Sequence, residues 1–304
     1  MSALIAAVTS LLLVAVLAAC GEDDGGAAGG RVAVVATTTQ AADLARNVGG
    51  DRVEVVSLLA PNADPHDYEV RPRDLQRLID ADLIVRSGGD LDDWLQEAIE
   101  GAGSEAPVLT LIDHVRTSGD DPHWWQDPRN ALLAAAEIER ALNAADPANE
   151  EAYRADARRY ETSLRRLDRA VAACVDRIPQ ARRKLVTTHD ALGYYARRYG
   201  IEVVGAVIPS LSTRGQPSGG ETAELVRTIR EQDVRAIFAE SSVSAKLEQA
   251  IARESGATVG DPLWADTLGP PGSGGETYVA SIAANTRAIV DGLTGGAVTC
   301  SIDA

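Results

Sequence analysis

Four histidines occur in 304 residues, and three of them stand in similar surroundings. His66 in "PNADPHDYE", His123 in "DDPHWWQDPRN" and His189 in "LVTTHDALGYY" each come after an apolar, β-branched run that reads as a strand. Ligands of open α/β sheets bind beyond the carboxyl ends of the strands, so these imidazoles fall where a cleft would form. His114, in "LIDHVRTS", has no such position and reads as an ordinary loop residue. Neutral imidazole is the commonest metal ligand and suits zinc, which takes four ligands in a tetrahedron. A carboxylate would complete the set: Asp266 or Asp261 in "GDPLWADTLGP", or Glu240 in "IFAESS". The rival chemistry is a secreted metallohydrolase, with the fourth position open and Glu240 as general base. Neither H-E-x-x-H nor G-x-S-x-G occurs, which counts against it. A binder of an organic solute would instead set Arg or aromatic groups at the strand ends.

The elements that position these residues follow from the periodicity. From residue 32, "VAVVA", "VEVVSLLA", "DLIVRS" and "PVLTLI" alternate with amphipathic segments, the pattern of βαβ units around a parallel sheet. Asp127 and Pro128 are an N-cap and a first helical residue, so a helix begins directly after the His123 stretch. Between Pro147 and Pro179, Tyr153, Tyr160, Leu164, Leu167, Val171, Cys174 and Ile178 form one apolar stripe. That predicts a single long helix of roughly 45 Å. The alternation resumes with "KLVTTH", "IEVVGAVI", "VRAIFAE" and "ATVGDPLW", and closes on a helix near 276–293. The expected architecture is α/β: an N-terminal lobe over 31–145, a linking helix over 146–179 and a C-terminal lobe over 180–304. "SLSTRGQPSGG" lacks the spacing of a phosphate loop and reads as a flexible loop near the cleft.

The remainder of the chain bounds where such a protein works. With 29 Lys+Arg against 45 Asp+Glu and no basic stripe, nucleic acid is excluded as a partner and a cationic ligand is natural. Residues 1–19 are apolar and end in small residues before Cys20, as a signal peptide does. Leu17-Ala18-Ala19-Cys20 resembles a bacterial lipobox, whose cysteine becomes the acylated N-terminus, although these 19 residues contain no Lys or Arg. Residues 20–30, rich in Gly, Ala and acid, then form a tether. An extracytoplasmic, membrane-anchored location follows. There Cys174 and Cys300 can persist as a disulfide; two buried thiols are the alternative.

Five ordered stretches, "NADPHDYE", "DPHWWQDP", "VTTHDALGYYARRYG", "IFAESSVSAKLEQAIARESG" and "LWADTLGPPGSGGETYVASIAANT", resemble the cluster A-I (zinc/manganese) substrate-binding proteins of bacterial ABC transporters. The likeness spans 31–295, with Ala245 where that family often has proline. It implies two (βα)4-like lobes joined by one rigid helix, and a metal held by His66, His123, His189 and Asp266, with Asp261 the rival carboxylate. It implies no enzyme activity. The implied partners are an ABC permease with its cytoplasmic ATPase, and the chain itself is expected to be a monomer. Manganese-selective members commonly carry glutamate in place of the third histidine; His189 is kept here, so Zn2+ is the expected cargo and Mn2+ the alternative. A zinc-binding adhesin or metallochaperone would use the same site. Trp124 and Trp125 are expected to pack beside it and exclude water, and Asp120 and Asp121 to be solvated acid. Because binding needs neutral imidazole, affinity is expected to fall as pH drops through about 6.5.

Overall fold

Two parallel sheets carry the strands in the same order. The computed structural model describes residues 30–302; the expected signal segment, Cys20 and nearly all of the tether lie outside them. In the first half, β1 (Val32–Ala36), β2 (Val53–Ser57), β3 (Leu83–Arg86) and β4 (Val108–Thr110) pair in parallel in the order β2-β1-β3-β4. In the second half, β5 (Lys184–Thr187) pairs with β6 (Glu202–Ala206), and β7 (Ala236–Ile237) pairs with β8 (Thr258–Val259). A parallel bridge from Thr187 to Phe238 joins those two ladders, giving the order β6-β5-β7-β8. In each half the strand order reverses at its first strand, and a crevice opens above the carboxyl ends at such a point.

The helices, α1 (Thr39–Gly49), α2 (Pro72–Ile79), α3 (Trp94–Ala102), α4 (Pro128–Ala145), α5 (Glu150–Val175), α6 (Gly193–Tyr199), α7 (Gly219–Glu231), α8 (Lys246–Ser255) and α9 (Tyr278–Thr294), have local causes. Thr38 caps α1 (Thr39–Gly49) by accepting from the Ala41 N–H. Asp127 caps α4 (Pro128–Ala145) by accepting from Arg129, with Pro128 at the first turn as expected. The long helix is α5 (Glu150–Val175), 26 residues or about 39 Å, with its stripe from Tyr153 to Cys174 buried. It packs against α1, α4 and the last helix, α9 (Tyr278–Thr294). One apolar core therefore runs from Val34 and Leu44 through Tyr153, Leu164 and Val171 to Phe238, Tyr278 and Ile289. Smaller clusters, around Ile84 with Leu95 and around Ile237 with Ile251, back the other face of each sheet. Cys174 and Cys300 are bonded, which ties the end of the chain to α5.

This is the α/β architecture with parallel sheets and one long helix that the periodicity predicts. The helix is shorter than the stripe suggests, because Asp176–Pro179 leave it as a turn while Ile178 stays buried. α6 (Gly193–Tyr199) likewise starts only after Asp190–Leu192, leaving His189 on a short bend. Asp168 on α5 accepts two hydrogen bonds from Arg198 of α6, at 2.9 and 2.7 Å, and one from Tyr199 Oη at 3.1 Å. It also pairs with Arg129 of α4 at 3.4 Å. The long helix thus holds, through one carboxylate, the helices that follow His123 and His189.

Candidate metal centre

Each ligand candidate lies in the segment that follows a strand, and each histidine is held by a nearby carboxylate. His66 lies in the turn Pro65–Asp67 after β2, where Asp64 Oδ1 accepts its N–H at 2.9 Å. His123 follows β4; Asp121 Oδ1 accepts its N–H at 3.0 Å and lies 2.8 Å from its Nδ1. His189 follows β5; Glu240 Oε1 lies 2.5 Å from its Nδ1 and accepts its N–H at 3.2 Å. Asp266 follows β8, next to Ala265, whose carbonyl accepts from Trp125 Nε1 at 3.0 Å and Gln126 Nε2 at 2.7 Å.

The four side chains converge on one buried point. One nitrogen or oxygen from each of His66, His123, His189 and Asp266 lies within 4.8 Å of all the others. Asp266 carboxylate oxygens stand 3.3 Å from His66 Nε2, 3.5 Å from His123 Nε2 and 3.2 Å from His189 Nε2. His123 Nε2 and His189 Nε2 are 3.3 Å apart. A tetrahedral ion with bonds of about 2.0–2.1 Å has ligand-to-ligand edges of about 3.3–3.4 Å; these four separations are close to that, and the whole group lies within 4.8 Å. The four residues are 7%, 0%, 0% and 1% exposed, and His66 Nε2 and both Asp266 oxygens are buried without a hydrogen-bond partner. Asp121 and Glu240 take the Nδ1–H of their histidines, which turns both Nε2 lone pairs toward the common centre.

Charge in the site is finely opposed. Burial disfavours the His189 imidazolium, but the carboxylates of Asp266 and Glu240 outweigh burial and hold its pKa well above the ordinary histidine value. Burial likewise opposes an ionised Asp266, yet the facing His189 and His123 hold it well below the usual carboxylate range. Glu240 is pushed up by burial against the pull of His189. A proton on His189 therefore occupies the place a cation would take.

The sequence candidates divide accordingly. His66, His123, His189 and Asp266 come together, and Glu240 stands behind His189 rather than in the ring of four. Asp261 is exposed on the far side of Pro262 and does not join the group, because the chain after β8 turns inward only at Leu263. Asp121 corrects the expectation of solvated acid: it is 8% exposed and orients His123, while Asp120 is exposed. His114 is exposed and faces Glu137 at 3.8 Å. Trp125 stacks edge-on to His123 with ring centroids 5.5 Å apart, and Trp124 packs against Trp125. Gln126 and Tyr278, whose Oη donates to the Trp125 carbonyl at 2.6 Å, carry no sequence signal for the site. Their role comes only from contacts between distant segments.

Residues 34–292 match the family model described as "Zinc-uptake complex component A periplasmic". The chain belongs to this family. Members are solute-binding proteins and not enzymes, and this chain is a metal-binding, substrate-binding component of an ABC transporter. The manganese-binding lipoprotein MntA of Bacillus subtilis (strain 168) is 35% identical over 268 residues, spanning 84% of this chain and 87% of that protein. The iron-binding protein YfeA of Yersinia pestis is 31% identical over 258 residues, 82% of each. The periplasmic zinc-binding protein TroA from Treponema pallidum superposes with a TM-score of 0.82 at 29% identity, over 87% of this chain and 99% of that one. Among the described residues no helix is long and apolar enough to cross a membrane.

Proposed function

We propose that this chain captures Zn2+ outside the cytoplasm through His66, His123, His189 and Asp266, and delivers it to a membrane permease driven by a cytoplasmic ATPase. Lipidated Cys20 anchors it to the membrane, with residues 20–30 as tether. The observation that carries the reading is the set of four buried ligand atoms, three nitrogens and one carboxylate oxygen, that all lie within 4.8 Å of one another. Three nitrogens and one carboxylate suit zinc, whereas carboxylate-rich, oxygen-rich sites suit manganese. A specific observation favours Mn2+ instead: the 35% identical relative is named for manganese. The two-lobe division at 145 and 180 belongs to the same proposal, with the crevice between the two sheets as the capture site.

Metal analysis of the gently purified chain, followed by competition between the two ions, separates the alternatives. One zinc per chain that equimolar manganese does not displace is the expected result. Manganese retained against equimolar zinc overturns the zinc assignment and leaves the four ligands in place.

A further inference from the structure

His66 is held differently from the other two imidazoles. Among the described residues no carboxylate backs its ring as Asp121 backs His123 and Glu240 backs His189. It is also the least buried of the three, at 7% exposure against 0% for both others. What fixes His66 is its main chain. Its N–H is held by Asp64 Oδ1, and the other oxygen of that carboxylate accepts from Thr213 Oγ1 at 2.7 Å, across 149 positions of sequence.

Thr213 lies in "SLSTRG", a segment built of turns. Ser210 Oγ accepts from Ser212 N at 3.1 Å, Ser212 Oγ from Arg214 N at 3.3 Å, and Ser212 O from Gly215 N at 3.3 Å. Its base is joined to the residue after His189, since Asp190 N donates to Ser210 O at 3.0 Å. On the opposite flank of the His66 segment, Asn62 adopts φ 59°, a left-handed conformation that asparagine tolerates. Its N–H donates to Leu268 O at 2.9 Å and Thr267 Oγ1 at 3.0 Å, beside Asp266. The turn carrying His66 is thus strapped between the segments that carry His189 and Asp266. The neighbouring Arg214–Asp67 pair, 3.1 Å apart, has both side chains mostly in solvent and adds little.

Deepening the four-ligand reading, and resting on it, we infer that Thr213 is a positioning residue whose hydroxyl, through Asp64, holds His66 over the ion and sets the rate of metal release. Removing the hydroxyl frees the His66 turn to swing outward while the other three ligands stay in place. The effect falls on dissociation, because the contact exists only with the two segments closed together.

The test is stopped-flow release of zinc from the loaded full-length chain into an excess of chromogenic chelator. Thr213→Val, which keeps shape and loses the hydroxyl, is expected to release zinc about tenfold faster, the effect of losing one hydrogen bond to a charged acceptor. Thr213→Ser restores the donor and is expected to release at the wild-type rate, and Arg214→Ala likewise. Thermal melting of the metal-free forms, a single cooperative transition for both wild type and Thr213→Val, sets a release effect apart from loss of fold. Wild-type release from Thr213→Val, or equal acceleration by Thr213→Ser, overturns the inference while leaving the site intact. A wild-type chain that takes up no zinc overturns the four-ligand reading and the strap together.

Discussion

Zinc added to the metal-free protein at pH 7.5 is expected to release more protons per ion bound than unperturbed imidazole would give. The metal needs the lone pair on His189 Nε2, and that nitrogen faces Asp266 at 3.2 Å while Glu240 lies against Nδ1. Burial opposes the imidazolium, but the two carboxylates prevail and hold its pKa well above 6.5. An unperturbed imidazole of pKa 6.5 is only about one-tenth protonated at pH 7.5 and would release about 0.1 proton. The protonated form competes with the metal, so affinity falls as pH falls. With a raised pKa the fall begins at higher pH, and between pH 8.0 and 7.0 it is steeper than the about 1.3-fold of an ordinary histidine. The window therefore lies above the 6.5 that histidine chemistry alone predicts.

Titration calorimetry in two buffers of different ionisation enthalpy reads the proton count directly. Glu240→Gln removes one of the two opposing carboxylates and is expected to lower both the count and the pH slope. The same raised pKa has a consequence for folding. Its stabilisation of the metal-free chain is full below about 6.5, the unfolded value, and is lost as pH rises through the folded value. Zinc should therefore raise the melting temperature more at pH 8.5 than at pH 7. Release of about 0.1 proton, with affinity flat from pH 8.0 to 7.0, would refute the assignment of the proton to His189.

Asp266→Ala is expected to weaken zinc binding by more than about a hundredfold, the most that loss of an outer partner usually costs, while Asp261→Ala leaves it unchanged; calorimetry that ranks them the other way shows the wrong carboxylate was chosen. Asp121→Ala, which unbacks the His123 ring, is expected to cost about tenfold to a hundredfold in affinity with one site per chain retained. Zinc is expected to change tryptophan fluorescence through Trp125, and Trp125→Phe should remove most of that change; an undiminished signal would point to another of the four tryptophans. Replacing both Cys174 and Cys300 by Ala removes a bond across 126 positions and should lower unfolding stability by at most about 5 kcal/mol on the loop-entropy model, with an unchanged melting temperature the contrary result.

The parts of this site visible in the sequence share a physical reason. His66, His123 and His189 each lie shortly after a strand, so strand patterning together with a rare residue type points to them, and the fold follows from the same alternation of strands and helices. The long helix is legible because a stripe repeating every three or four residues without Gly or Pro has no other stable outcome. In the sequence Asp266 is separable from Asp261 only by motif resemblance. Five positions apart, both fit a carboxylate ligand, and what divides them is the inward turn at Leu263. Asp121 reads as solvated acid in the sequence for a related reason. In "GDDP" the two acids look alike, yet the turn into Pro122 buries one against His123 and leaves the other in solvent. Gln126, Tyr278 and Thr213 had no local pattern, since each acts on a partner more than 130 residues away. Sequence periodicity reports how a segment meets its own sheet, whereas the closing contacts of this site join one half of the chain to the other. The ligands are therefore legible as residue types at strand ends. The contacts around them depend on how the two halves of the chain pack on each other through one shared core.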